Sequence, residues 1–235
     1  MSIAENIAEV QKNIALAAAS CGRQASEITL VAASKMNDAA RVQEAIAAGI
    51  TACGENRVQE MLEKHSQGAY QGAHLHFIGH LQKNKVKNVV GIAELIHSVD
   101  SVPLLAVIGR TAEAKGIIQQ VLLEVNIGAE ASKSGFTPEE LPAALAAAEE
   151  IPGILVRGLM AIPPACTHPD EIRPYFARMQ QLFVDIGSKK YDNSNMDFLS
   201  MGMSHDYSLA IEYGSNIVRV GTAIFGARDY GVKAQ

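Results

Sequence analysis

The sequence predicts an α/β fold, a single (β/α)8 barrel of the TIM type with an extra N-terminal helix. Three observations predict it. Short apolar runs alternate with longer helical patterns along the chain, as expected of a parallel sheet wrapped by helices. Eight such runs can be counted, which suits closure into a barrel. The first run leads into Ser34-Lys35-Met36-Asn37-Asp38 without a glycine, whereas an open doubly wound sheet usually turns there through G-x-G-x-x-G.

Residues 2–20 begin the chain as an amphipathic helix. Ile3, Ile7, Val10 and Ile14 recur at spacings of three and four, with Glu5, Glu9 and Lys12 opposite. The strands are expected at 28–34, 51–55, 74–79, 95–100, 119–126, 154–161, 197–202 and 216–221. Helical patterns follow the first seven, at 38–48, 56–65, 82–90, 102–115, 138–149, 169–187 and 206–213. Thr137-Pro138-Glu139-Glu140 reads as a helix start, with a capping residue before proline and two acids. Asp206 reads as an N-cap. Gly49, Gly116 and Gly214 stand where helices end on glycine. The polar stretch 188–196 is expected as a surface loop, and no linker-like stretch divides the chain. One domain over 1–235 is expected.

Composition narrows the function. Of 235 residues 48% are apolar, enough for a large core. A net charge of −5 gives no electrostatic footprint for nucleic acid or an anionic membrane. Lys83, Lys85 and Lys87 read as a solvated helix face. Cys21, Cys53 and Cys166 are odd in number and far apart, so neither a disulfide framework nor a structural zinc site is expected. The acidic N-terminus does not read as a signal peptide, and no apolar run approaches membrane-spanning length. A cytoplasmic protein is expected.

In such barrels the active site lies at the C-terminal mouth, so the residues that end the strands matter most. Lys35 directly follows the apolar run Thr29-Leu30-Val31-Ala32-Ala33-Ser34. A lysine over a dry barrel mouth has a destabilised ammonium, and the neutral amine can attack an aldehyde to form a Schiff base. The alternative is an ordinary lysine reaching into water. Ser200, Gly202 and Ser204 end the seventh strand, and Gly221 and Thr222 end the eighth. Hydroxyls and accessible backbone N–H groups there can cradle a phosphate, or can be plain turn and cap residues. Arg219 shares a face with Ile217 and Gly221. Facing inward it needs a partner; facing outward it pairs with a helix carboxylate. His74, His76 and His80 share parity and raise a zinc hydrolase as a rival, but no second histidine cluster exists to complete its ligand set, and Arg219 would repel the metal.

Taken together, several segments resemble the pyridoxal-phosphate homeostasis protein family, which is related to the N-terminal barrel of alanine racemase. They are Val31-Ala32-Ala33-Ser34-Lys35, Gly54-Glu55-Asn56-Arg57-Val58-Gln59-Glu60, and His76-Phe77-Ile78-Gly79-His80-Leu81-Gln82-Lys83-Asn84-Lys85. Ser98-Val99-Asp100, Asn126 to Gly135 and Gly158-Leu159-Met160 follow. The last two are Leu199-Ser200-Met201-Gly202-Met203-Ser204 and Val218-Arg219-Val220-Gly221-Thr222-Ala223-Ile224-Phe225-Gly226. They span nearly the whole chain in the family's order.

The resemblance implies that pyridoxal 5'-phosphate (PLP) is the cofactor and that Lys35 forms the Schiff base. It implies that Ser200, Gly221 and Thr222 hold the phosphate with Ser204 nearby, that Arg219 faces the pyridine nitrogen, and that Asn56 and Met201 line the ring pocket. Lys133 matches a family lysine in the loop after the fifth strand. Arg57 departs from the pattern, standing where an aromatic residue is expected.

A guanidinium only donates, so Arg219 would favour an unprotonated ring nitrogen and a poorer electron sink. Alanine racemase uses a tyrosine base from a second domain, which is expected to be absent here because the chain ends at Gln235, just past the eighth strand. Tyr207, Tyr213 and Tyr230 are read as packing or surface residues rather than bases. The expectation is a monomer that binds PLP and hands it to PLP-dependent apo-enzymes, with little or no turnover. The alternative is a PLP-dependent amino-acid racemase.

Overall fold

The computed structural model describes residues 1–166 and 168–226. Helix α1 (Ile3–Ser20) opens on a capping box, in which the Ser2 hydroxyl accepts from the Glu5 N–H and the Glu5 carboxylate accepts from the Ser2 N–H. Its apolar stripe of Ile3, Ile7, Val10 and Ile14 is buried, as the spacing requires.

Eight strands then close into a parallel barrel in chain order. They are β1 (Thr29–Ala33), β2 (Ala52–Glu55), β3 (His74–Phe77), β4 (Leu95–Val99), β5 (Gln119–Val125), β6 (Ile154–Ala161), β7 (Ser194–Ser200) and β8 (Ile217–Val220). Closure pairs β1 with β8, Thr29 opposite Ile217 and Val31 opposite Arg219. The connecting helices are α2 (Ala39–Ala47), α3 (Val58–Ser66), α4 (Val102–Ala114), α5 (Leu141–Glu149), α6 (Pro169–Gly187) and α7 (Tyr207–Glu212). A short α8 (Thr222–Phe225) follows β8, and α1 packs against α7 and α8.

Two apolar layers result from strand alternation. Val31, Ala52, Leu95, Leu122, Met160 and Ile217, with Phe198 against them, fill the barrel interior. The opposite strand faces join the helices in the larger outer core. Ile217 is therefore inward, which decides that Arg219, two residues on, is inward too.

From β1 onward, four elements differ from the sequence expectation in kind or by three residues or more. The stretch 82–90 forms a 3-10 segment, Lys83–Asn88, rather than an α-helix. Three β-branched valines and the left-handed Gly91 leave too little chain for a full helix, and Lys115 takes the Lys87 and Val90 carbonyls. Helix α5 starts at Leu141, not at 138, because Pro142 has no N–H to return to the Pro138 carbonyl. Thr137–Glu140 is instead a separate turn, with the Glu140 N–H donating to the Thr137 carbonyl. Strand β7 begins at Ser194, inside the stretch expected as a loop, where its polar residues hid it. Helix α8 lacked the length that makes periodicity readable. Gly49, Gly116 and Gly214 do take positive φ at helix ends. Among the described residues no helix is long and apolar enough to cross a membrane.

Candidate functional site

A cavity of about 900 Å³ opens where the strands end. Six of the eight residues expected to bind the cofactor line it: Lys35, Asn56, Ser204, Arg219, Gly221 and Thr222. They come from four different strand ends, so only the closed barrel brings them together.

Lys35 reaches the cavity because Val31 and Ala33 precede it on the inward face of β1. The chain then turns sharply. The Asn37 N–H donates to the Ser34 carbonyl at 3.1 Å, and Met36 takes a left-handed φ of 61°. Asp38 caps α2 by accepting from the Arg41 N–H at 2.9 Å.

Asn56, after β2, presents a buried Oδ1 that has no protein partner. Gly79 lies against it so closely that a Cβ there would stand 2.2 Å from the Asn56 carbonyl oxygen. Only glycine permits that approach.

On the other rim, Gly202 has φ 95°, and an added Cβ would meet Ala210 at 2.6 Å. This tight turn brings Ser204 under the start of α8. The Ser204 hydroxyl accepts from the N–H groups of Gly221 and Ala223 at 3.3 and 3.4 Å. Both distances are long for N–H···O bonds, whose usual length is about 2.9 Å. Both backbone donors are therefore only weakly engaged, and Gly221 lines the cavity rim with Ser204.

Arg219 forms the floor. It is buried, donating from Nη1 to the Ser200 hydroxyl at 2.5 Å and from Nη2 to the Ala161 carbonyl at 3.0 Å. Burial pulls its pKa down to about 10, against the raising effect of Glu124 and Asp206. It thus stays charged at neutral pH. Glu124 also lines the cavity, and its carboxyl is pushed up by burial first and by Asp100 second.

Two of the expected residues lie elsewhere. Ser200 is inward but fully buried beneath Arg219, its hydroxyl shared between Arg219 and His97. Met201 is a correction: alternation turns it outward into the core between barrel and helices, so it does not line the ring pocket. Met203 takes a place on the wall instead.

Sequence reasoning missed the layer below Arg219. The Ser200 hydroxyl meets His97 Nδ1 at 3.0 Å, and His97 Nε2 meets His76 Nδ1 at 3.0 Å. Parity could have found His97, two residues after inward Leu95. His76 belongs to this chain, while the exposed His74 pairs with Glu94, so the two do not converge as a metal pair. His80 pairs with Asp100 at 3.3 Å on the mouth.

The loop after β5 is folded by Asn126, whose side-chain amide donates to the Glu130 and Lys133 carbonyls and whose oxygen accepts the Glu130 N–H. This brings Lys133 to the cavity wall, where it pairs with Glu130 and donates to the Pro163 carbonyl at 3.1 Å. Tyr207 is buried in the outer core and Tyr213 packs near Phe176; neither lines the cavity. Tyr230 lies outside the described residues.

Residues 6–229 match the family model of the alanine racemase N-terminal domain. The chain is 42% identical over 233 residues to the pyridoxal phosphate homeostasis protein of Pseudomonas aeruginosa, covering 99% of both chains. It is 40% identical over 230 residues to the protein of that name from Aquifex aeolicus, covering 98% of this chain and all of that one. Among solved structures it resembles PipY of Synechococcus elongatus with PLP bound, at 32% identity and a TM-score of 0.82, covering 96% of this chain and 100% of that one.

Proposed function

The chain belongs to the pyridoxal phosphate homeostasis protein family, and we propose that it holds PLP on Lys35 as a Schiff base and takes part in PLP carriage with little or no turnover. One observation carries the proposal. Lys35, the Ser204 hydroxyl, Gly221 and Thr222 line the same cavity, with a buried arginine as its floor.

PLP supplies an aldehyde, which condenses with a primary amine with loss of water, and a phosphate that needs donors. The residues fit both needs. Ser204, Gly221 and Thr222 offer a hydroxyl pair and backbone donors to the phosphate. Asn56 offers its unpaired acceptor to the ring edge. Ser200 would act one step back, by holding the guanidinium that would face the ring nitrogen.

Arg219 bears on turnover. As a donor that stays charged, it would keep the proton off a ring nitrogen placed beside it, because a second positive charge there would repel. Carbanion chemistry is then poorly supported. A racemase also needs bases on both faces of the substrate, and Tyr207 and Tyr213 are off the cavity wall. The relatives are named for homeostasis rather than for a reaction. Apo-enzymes that require PLP are the proposed recipients.

The test is a visible spectrum with added PLP, followed by borohydride reduction and peptide mapping. A yellow protein labelled at Lys35, and unlabelled there in Lys35→Ala, is expected. A protein that takes up no PLP overturns the proposal. Racemisation of an amino acid by the pure protein, abolished in Lys35→Ala, overturns its non-enzymatic half and restores the racemase reading.

A further inference from the structure

We propose that Glu60 and Lys64, on the outer side of the barrel wall, are positioning residues that grip the peptides on either side of Lys35 and so aim its amine into the cavity. The inference rests on the assignment of Lys35 made above.

The turn that carries Lys35 is an improbable one for its sequence. Its third residue, Met36, sits in the left-handed region, which disfavours any side chain bearing a Cβ. Met36 is itself largely exposed, so its own packing does not force this conformation. Something else must hold it.

The contacts lie on helix α3. The Met36 N–H donates to the Glu60 carboxylate. Lys64 Nζ donates to the Ser34 carbonyl, to Glu60 Oε1 and to Glu55 Oε1, each at 2.7 Å. An ammonium has three N–H donors, and all three are placed. Residues 34 and 36 are thus tied to one ion pair, while Lys35 between them points the other way, inward. The alternation of β1 makes this possible: Ser34 faces out and Lys35 faces in.

The clamp is anchored from behind. Glu55 Oε1 also accepts from the Ser34 hydroxyl at 2.6 Å and from the Tyr70 hydroxyl at 3.0 Å. Glu55 and Lys64 are buried, so their geometry is not loosened by water. Glu60, by contrast, is 20% exposed and sits at the edge of the network. Two carboxylates share one ammonium here, and burial first, with the Glu55 charge second, pushes up the Tyr70 hydroxyl and the Cys53 thiol, the latter to about 12. Both stay protonated, which keeps Tyr70 a donor to Glu55.

The choice of variant follows from burial. Lys64→Met would strand the buried Glu55 carboxylate and is expected to unfold the protein. Glu60→Ala removes only the peripheral acceptor and leaves Lys64 paired with Glu55. The experiment measures the rate of colour formation when PLP is added to pure PLP-free protein, maps the borohydride-reduced adduct, and records the melting temperature of each variant.

Glu60→Ala is expected to form the Lys35 adduct roughly ten-fold more slowly, because small misplacements of a reacting group are costly. Glu60→Gln, which keeps an acceptor for the Met36 N–H, is expected to recover most of the rate. Glu60→Ala with Met36→Gly is expected to recover it too, since glycine takes the left-handed turn unaided. A role confined to the stability of α3 would not be rescued by a glycine in another loop. Equal rates in wild type and Glu60→Ala, with labelling at Lys35 in both, overturn the clamp alone. A wild type that yields no adduct at Lys35 overturns the function proposed above and the clamp with it.

Discussion

Arg219 donates from Nη1 to the Ser200 hydroxyl, and this bond sets the direction of a hydrogen-bond chain across the barrel. A guanidinium cannot accept, so the Ser200 O–H is left to donate to His97 Nδ1. His97 must then carry its proton on Nε2 and give it to His76 Nδ1. The chain works only while both imidazoles are neutral. Burial keeps them so: it pulls His76 down to about 4 and His97 well below its usual value, with the charge of Arg219 adding to the effect on His97.

That depression makes stability depend on pH in a defined window. Both histidines titrate near 6.5 when unfolded. As pH falls through 6.5 the unfolded chain takes up protons on them and the folded one does not. The unfolded state therefore binds more protons, and folding stability, complete above this value, is lost on acidification towards pH 4. Each such group contributes a slope of about 1.4 kcal/mol per pH unit at most. Urea unfolding from about pH 7 to 5, where few carboxylates titrate, is expected to show the fall, and His97→Asn a flatter profile. Identical slopes in the two proteins would refute the account.

Ser200→Ala breaks the same chain at its centre. It leaves His97 Nδ1 without its donor and one Arg219 N–H without an acceptor, both buried. A loss of about 2 kcal/mol is expected in chemical denaturation. PLP is expected to bind more weakly as well, since the guanidinium proposed to face the ring nitrogen is then held only by the Ala161 carbonyl. Wild-type affinity for PLP in a folded Ser200→Ala protein would mean that Ser200 does not serve Arg219.

Much of this architecture was legible beforehand, and for physical reasons. Strand count and helix alternation come from burial on both faces of a parallel sheet, which writes long apolar runs. Lys35 and Arg219 stood out as charges within or at the end of such runs. Pairings between distant strands could not be read, because His97 and Ser200 meet only on closure. Met201 was misplaced because a motif quotes neighbours together, whereas strand alternation sends Met201 and Ser200 to opposite faces. The Glu60–Lys64 grip was invisible for a different reason: a left-handed Met36 has no signature in the sequence.

The proposed phosphate cradle gives a prediction that separates the two ends of the cofactor. Ser204→Ala removes the hydroxyl that accepts from Gly221 and Ala223. If Ser204 is a phosphate ligand, affinity for PLP is expected to fall roughly ten-fold, the worth of one charge-assisted hydrogen bond. Affinity for pyridoxal, which has the aldehyde but no phosphate, is expected to stay within about two-fold. Equal losses for both ligands would place Ser204 elsewhere in the site.

Gly79→Ala tests the packing that presents Asn56. A Cβ at 79 would stand 2.2 Å from the Asn56 carbonyl oxygen and 2.5 Å from its Cα, both backbone atoms that cannot rotate away. The ends of β2 and β3 must separate, at a cost of about 3 kcal/mol. Asn56 is expected to move with its backbone, so its unpaired oxygen loses its place on the cavity wall. The variant is therefore expected to melt earlier and, at a temperature where it remains folded, to bind both PLP and pyridoxal more weakly. That pattern differs from the one expected of Ser204→Ala, because the ring edge is common to both ligands and the phosphate is not. A stable Gly79→Ala protein with unchanged binding would show that the two strand ends separate freely and that Asn56 takes no part.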